Sequence, residues 1–399
     1  MSSRAGRQCV RLAVVAQFPV HYHLPLYRAM AVDPDIDAEV LFMQRGWSAS
    51  GYDPEVDAIV DWGVEQFAGY RHHIFHNVSP SRDGVGFWKF VNPGLIWRVL
   101  TGPYDAVYIH GHNHFSHVAA AIAARLSGKR VILRTISNNL GHRSRRIRFL
   151  RSLLYTPVYR LLFDWFLFTG VAQRRYYRSF GVPPRKLVHA PHIVDNTFFA
   201  AAAARLAAER DRCRRRFGIA PGRKVALCVA KIRPVKNPLG LVEAFARAAS
   251  GKSWSLLWAG SGEMEAATKA AAARHTDIDF RFAGFLDQSA VCEAYAAADL
   301  FVLASHTETW GLAVNEALNF GLPVIVTDGV GCAEDLVAEQ TGLVVPAGDT
   351  GALTEALGTL MDDETLRARF SAAARDRIAD WDVGRYMAGL RRALGVDLR

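Results

Sequence analysis

Residues 300–336 read LFVLASHTETWGLAVNEALNFGLPVIVTDGVGCAEDL. An apolar run ends at Ala304, a polar loop follows, a helix is expected to begin near Gly311, and a second apolar run, PVIVT, starts at Pro323. Short, unbroken Val/Ile/Leu runs on either side of a helix describe two parallel strands buried on both faces and joined by a crossover. The backbone N–H groups at such a helix start form a site for an anion, and a diphosphate suits it. Glu308 stands just before the helix and Glu316 within its first two turns. That spacing gives one carboxylate at the loop mouth and another deeper on the helix, and both accept hydrogen bonds well from sugar and ribose hydroxyls. Spacing alone also fits an ordinary loop residue and an ordinary helix-surface residue.

The same alternation extends in both directions. In the second half, strands are expected at 224–230, 255–259, 280–283, 300–303, 323–326 and 342–345. In the first half they are expected at 10–17, 38–42, 106–110, 130–134 and 165–169, with a helix over 117–126. Two successive series of βα units imply an α/β protein with two doubly wound, Rossmann-like parallel sheets. The pattern breaks at 188–199, LVHAPHIVDNTF, which places the domains at 1–190 and 191–381. A last helical segment, 382–396, is expected to pack back onto the first domain. Ligands of such sheets bind beyond the carboxyl ends of the strands, so the cleft between the domains is the expected site.

Bulk properties agree with this size. A chain of 399 residues, 50% hydrophobic and 22% charged, supports two or three packed domains. The five cysteines are scattered and odd in number, with no CxxC pair, which argues against disulfides or a zinc site and fits a cytoplasmic setting. No apolar run is long enough to span a bilayer, and residues 1–8 lead straight into a strand, so no cleavable leader is expected. The net charge of +10 concentrates at 143–151 and 205–216. The first stretch interleaves arginine with large apolar residues, and 143–163 could lie on an anionic membrane as a basic amphipathic helix or pack into its own domain. Nucleic acid is not an expected partner, because no binding motif accompanies the charge.

Three further segments carry candidate chemistry. KVALCVAKIRPVKNP at 224–238 is a buried strand running into a basic loop with Lys231 and Lys236. WAGSGE at 258–263 is a glycine turn after a strand, with Gly260 but without the third glycine of a dinucleotide fingerprint. RFAGFL at 281–286 contains Gly284 and Phe285. In the first half, HGHNH at 110–114 ends a strand, and His110, His112 or His114 at the cleft could orient acceptor or donor hydroxyls. The DxD triplets at Asp33/Asp35, Asp35/Asp37 and Asp277/Asp279 do not follow a strand into the cleft, and we expect no metal ion to be bound there.

Residues 300–336 resemble the ExxxxxxxE motif of retaining glycosyltransferases of family 4, which have the GT-B fold of two domains facing across a cleft. The resemblance is strong over 188–350 and weaker before that. It implies that Glu308 contacts the transferred sugar, that Glu316 binds the nucleotide ribose, and that the backbone at Gly311 and Leu312 holds the diphosphate. It implies that Lys231 and Lys236 neutralise the leaving phosphate, and that Gly260, Gly284 and Phe285 line the donor site. His110, the histidine at the cleft, is expected to be catalytic together with Glu308, Lys231 and Lys236. Three departures stand out. Lys231 replaces the usual arginine and loses its bidentate fork. In place of a diglycine loop the chain has FPVHYHLPLYRAM, and in place of a further strand-end histidine it reads VILRTIS. His21, Tyr22, His23, His112 and Arg134 are therefore the expected acceptor-side residues. The implied activity is retaining transfer of a sugar from a nucleoside-diphosphate sugar to a hydroxyl acceptor, with no metal or other cofactor. The acceptor would be a sugar, a lipid-linked sugar or a small molecule. The alternative is a catalytically silent sugar-nucleotide-binding protein of the same fold.

Overall fold

Strands made of Val, Leu, Ile and Ala on both faces have to be covered on both sides, and this chain does so twice. In the computed structural model, which describes residues 9–46, 52–53, 58–59, 65–81, 86–138, 145–338 and 340–396, helices flank two separate parallel sheets. Residues 1–8 and 143–144, which entered the readings of the N-terminus and of the basic segment, lie outside the described residues.

The first sheet contains β1 (Val10–Ala16), β2 (Ile36–Phe42), β3 (His72–Ile74), β4 (Ala106–His110), β5 (Arg130–Arg134), β6 (Trp165–Phe168) and β7 (Leu187–His189). They are parallel and run in the order β3-β2-β1-β4-β5-β6-β7. Alternate residues of β1 and β4 enter different cores: Leu12, Val14 and Tyr108 on one face, Ala13, Val15, Val107 and Ile109 on the other. The second sheet contains β8 (Lys224–Val229), β9 (Trp254–Ala259), β10 (Asp279–Gly284), β11 (Leu300–Leu303), β12 (Val324–Thr327) and β13 (Gly342–Val345). Its order is β10-β9-β8-β11-β12-β13, again parallel. The order reverses beside β1 in the first sheet and beside β8 in the second, which puts the crevice of each at the loops after β1, β4, β8 and β11. The sequence reading did not find β3 or β7, each three residues long.

The helix Val383–Leu394 packs against β6, β7 and the helix Leu24–Val32 of the first domain. Tyr386, Leu390 and Leu394 are buried there. Arg391 fastens it through bonds of 2.6 and 2.8 Å to Asp33 and 2.6 Å to Asp35. Those two aspartates thus serve the interface with the last helix. Asp279 is likewise engaged, by Arg281 at 2.7 Å and by the hydroxyl of Ser255 at 2.5 Å. Part of the basic segment 205–216 is paired within its domain: Arg210 and Arg214 reach Asp299 at 3.0 and 2.8 Å, and Arg216 reaches Glu293 at 2.6 Å.

Candidate functional site

Beyond β11 the chain forms a loop whose backbone is stitched to the loop after β12. Glu308 N–H donates to Gly329 O at 2.8 Å and Gly331 N–H donates to Glu308 O at 3.0 Å. With its backbone fixed this way, Glu308 forms an ion pair with Lys236, both side chains less than one-fifth exposed (19% and 17%). The other Glu308 carboxylate oxygen accepts Thr309 N–H at 3.0 Å. Lys236 ends the short turn Pro234–Lys236 after β8, and His306 N–H donates to Val235 O at 2.8 Å, so the two loops move as one.

The helix Leu312–Asn319 starts at Gly311, whose φ of +99° is the left-handed region. A Cβ there would lie 3.0 Å from Val330 and 3.3 Å from Leu303, so both conformation and space require glycine. No side chain caps this helix start; Val314 N–H donates to Gly311 O at 2.9 Å, and the N–H groups of the first turn are of the kind that bind anions. Glu316, farther along the helix, accepts a 2.7 Å bond from the hydroxyl of Tyr295. Burial pushes its carboxyl up to about 7, against the tyrosine bond, which pulls it down. It faces a cavity of about 300 Å³ shared by both domains, lined among others by His21, Tyr22, Arg28, Asp195 and Gln288.

The loops after β8, β9 and β10 meet beside it. Gly260 N–H donates to Gly284 O at 2.7 Å, and Trp258 Nε1 donates to Ala230 O at 2.9 Å. A Cβ on Gly260 would sit 2.1 Å from Ala230 O, so the glycine permits this approach of backbones. Lys231, Gly260, Gly284 and Phe285 are in this way brought to one end of the second sheet.

On the facing domain, His21, Tyr22 and His23 form a single turn after β1. His23 packs edge-on to His110 with ring centroids 4.8 Å apart, and Tyr22 packs against His192 at 5.4 Å. Arg134, 2% exposed, lies behind them with its guanidinium over the ring of Tyr386 at 5.0 Å. Burial lowers the His21 imidazole to about 4. Burial, and then the charge of Arg134 among other neighbours, holds His23, His110 and His192 well below the ordinary histidine range. These rings are neutral at neutral pH and act as hydrogen-bonding groups rather than cations. His112 lies apart from these rings. It is buried against Tyr155 and Tyr159, 3.3 Å from the Tyr159 hydroxyl, with the aromatic core on the other face of the sheet.

Several residues that sequence reasoning did not single out hold the two halves together. Asn138 donates across the cleft to the carbonyls of Glu308 (3.2 Å) and Thr309 (2.9 Å), and Asn315 donates to His192 O at 3.0 Å. Asp335 accepts Val171 N–H at 2.9 Å, at the start of the helix Val171–Ser179. Burial raises its carboxyl to about 6. Arg175 and Glu334 form a bidentate pair at 2.5 and 2.7 Å. Among the described residues, no group of three His, Cys, Asp or Glu side chains is placed to hold a metal ion.

Two Rossmann-like parallel sheets with their crevices turned to one cleft define the GT-B fold. The solved structure of Anabaena HepE in complex with UDP and glucose superposes with a TM-score of 0.70, covering 97% of this chain and 99% of that one at 15% identity. Residues 209–377 match the family described as glycosyl transferases group 1. A GDP-mannose-dependent monoacylated alpha-(1-6)-phosphatidylinositol monomannoside mannosyltransferase of Corynebacterium glutamicum is 31% identical over 52% of this chain and 55% of its own length. A D-inositol 3-phosphate glycosyltransferase of Kineococcus radiotolerans is 31% identical over 52% of this chain and 51% of its own. The chain therefore aligns with about half the length of these curated relatives.

Proposed function

We propose that this chain is a retaining glycosyltransferase that moves a sugar from a nucleoside-diphosphate sugar to a hydroxyl acceptor. The observation that carries the reading is the ion pair of Glu308 with Lys236 at the mouth of the loop preceding the uncapped helix that bears Glu316. The family match and the transferase names of the relatives support it.

In this reading the ribose hydroxyls donate to Glu316, and the diphosphate lies against the N–H groups after Gly311 and the ammonium groups of Lys231 and Lys236. Glu308 holds the transferred sugar. The bond from the anomeric carbon to the phosphate oxygen breaks through an oxocarbenium-like centre, and the acceptor oxygen bonds to the same face. The acceptor proton passes to the departing phosphate, so no carboxylate has to act as nucleophile. Two lysines and a helix start supply the positive charge without a metal ion. Domain contacts such as Asn138 to the Glu308 loop exclude water from the reacting carbon.

Slow hydrolysis of donor sugars tests the reaction without a known acceptor. Proton NMR of the first-formed free sugar, with and without EDTA, should show the anomeric configuration of the donor and no effect of the chelator. An inverted sugar would overturn retention, and loss of turnover in EDTA would overturn metal independence. A protein that binds a nucleoside diphosphate tightly yet releases none from any donor would be the silent alternative.

No helix among the described residues is long and apolar enough to cross a membrane. The helix Arg145–Leu162 leaves Leu153 and Leu161 59% and 68% exposed, and this favours peripheral contact with an anionic bilayer from the cytoplasmic side. Co-sedimentation with vesicles containing anionic lipid should fall when Leu153 and Leu161 are both changed to Ser. Equal binding to neutral vesicles would contradict an electrostatic contribution.

A further inference from the structure

Arg134 ends β5 directly beside His110, its register partner at the end of β4. The part-buried Arg391 and the buried Arg367 meet their charge locally. Arg391 has Asp33 and Asp35, and Arg367 donates to the helix-end carbonyls of Leu360 (2.5 Å) and Met361 (2.9 Å). Arg134 has neither arrangement. One terminal nitrogen makes long bonds to Pro191 O (3.4 Å) and His192 Nδ1 (3.3 Å), and the guanidinium donates to the hydroxyls of Tyr108 and Tyr386, but its Nε has no partner and among the described residues no carboxylate pairs with it.

The shortfall is shared by its neighbours. His23 Nε2 and His110 Nε2 are buried without a partner, and so is the hydroxyl of Tyr27, whose ring lies 6.0 and 6.1 Å from theirs. A buried cation with no counter-charge, next to orphaned donors, is costly and has to be met by something. The group sits at the carboxyl ends of β1, β4 and β5, where ligands of such sheets bind. It belongs to the domain opposite Lys231, Lys236 and the Gly311 helix start.

We propose that Arg134, His110 and His23 form a binding site for an anionic group, a phosphate ester or a carboxylate, carried by the acceptor. Arg134 supplies the charge, and the Nε2–H groups of the two neutral imidazoles donate to the anion's oxygens. The assignment of that anion to the acceptor rests on the glycosyltransferase reading. The anion site itself rests on the geometry of the first domain.

The test titrates inorganic phosphate, glycerol 1-phosphate, glycerate and, as a neutral control, glycerol into the protein saturated with whichever nucleoside diphosphate stabilises it. Calorimetry should detect the phosphate compounds or glycerate but not glycerol, and the stronger of the two series names the anion. Arg134→Met and His110→Ala should each weaken that binding by about tenfold or more, the loss expected for a charge-assisted hydrogen bond. Arg134→Lys should keep most of it, and nucleotide affinity should be unchanged in both Arg134 variants. Should Arg134→Met fail to fold, His110→Ala and His23→Ala carry the test. Absence of anion binding in the wild type, or undiminished binding in the folded variants, would overturn the proposal. If no nucleoside diphosphate binds, the glycosyltransferase reading fails on its own. Phosphate titrated into the unliganded protein, compared between Arg134→Met and Lys236→Ala, then still decides where the anion sits.

Discussion

Glu308 and Glu316 sit one loop and about one helical turn apart, yet only Glu308 has a cation beside it; Glu316 has a tyrosine hydroxyl and a raised carboxyl near 7. A carboxyl raised above its ordinary 4.5 contributes stability that is complete below that value and lost as pH rises through about 7. Glu316→Gln should therefore melt higher than wild type at pH 8 without ligand, with the gap closing by pH 5. The ionised form is the better acceptor for ribose hydroxyls, so nucleoside diphosphate affinity should fall as pH drops from 8 to 6 in the wild type. It should be weak and flat with pH in Glu316→Gln. A flat wild-type profile would remove Glu316 from the ribose. Glu308→Gln should keep nucleotide binding within a few-fold and lose about a hundredfold or more in turnover, as removal of an electrostatic group at a reacting centre does. Parallel calorimetry and donor-release assays would show whether the two effects separate.

Where the helix begins is decided by Gly311 and, beneath it, by Val330 and Leu303. Gly311→Ala forces a side chain into the left-handed region against those neighbours, at a cost of about 1–3 kcal/mol. A thermal melt should show this loss together with a drop in nucleotide affinity; unchanged affinity would place the diphosphate elsewhere. This unit was readable in the sequence because strand, loop, glycine and helix are contiguous, and each obeys local rules of period and backbone freedom. The three-residue strands His72–Ile74 and Leu187–His189 were not, since so short a run carries no periodicity. His192, Asn138 and Asn315 were missed for another reason: their partners lie at the far side of the chain, and Asn138 finds Glu308 across 170 positions. His112 was grouped with His110 by proximity along the chain, whereas its ring lies in the tyrosine-rich core of the opposite face. Asp33 and Asp35 gave no hint of Arg391, more than 350 positions away.

At the scale of the whole molecule, the domains touch through Asp335 at the start of one helix, the Arg175–Glu334 pair and the Asn138 amide. An exposed ion pair contributes little, so Arg175→Glu alone should change the melting temperature hardly at all. Asp335→Ala leaves the buried Val171 N–H without its acceptor, which costs about 1–3 kcal/mol. Small-angle scattering should then report a larger radius of gyration; an unchanged radius and melting curve would mean that Asp335 does not hold the domains together. The proposed function requires the cleft to hold a nucleoside diphosphate between Glu316, the Gly311 helix start and the two lysines. Isothermal titration calorimetry of UDP, GDP, ADP, TDP and CDP against the wild type and Glu316→Ala, in EDTA, tests that claim most directly. The account predicts that one nucleotide binds the wild type and is weakened by at least about tenfold in the variant. Binding of none, or equal binding to both proteins, would contradict it.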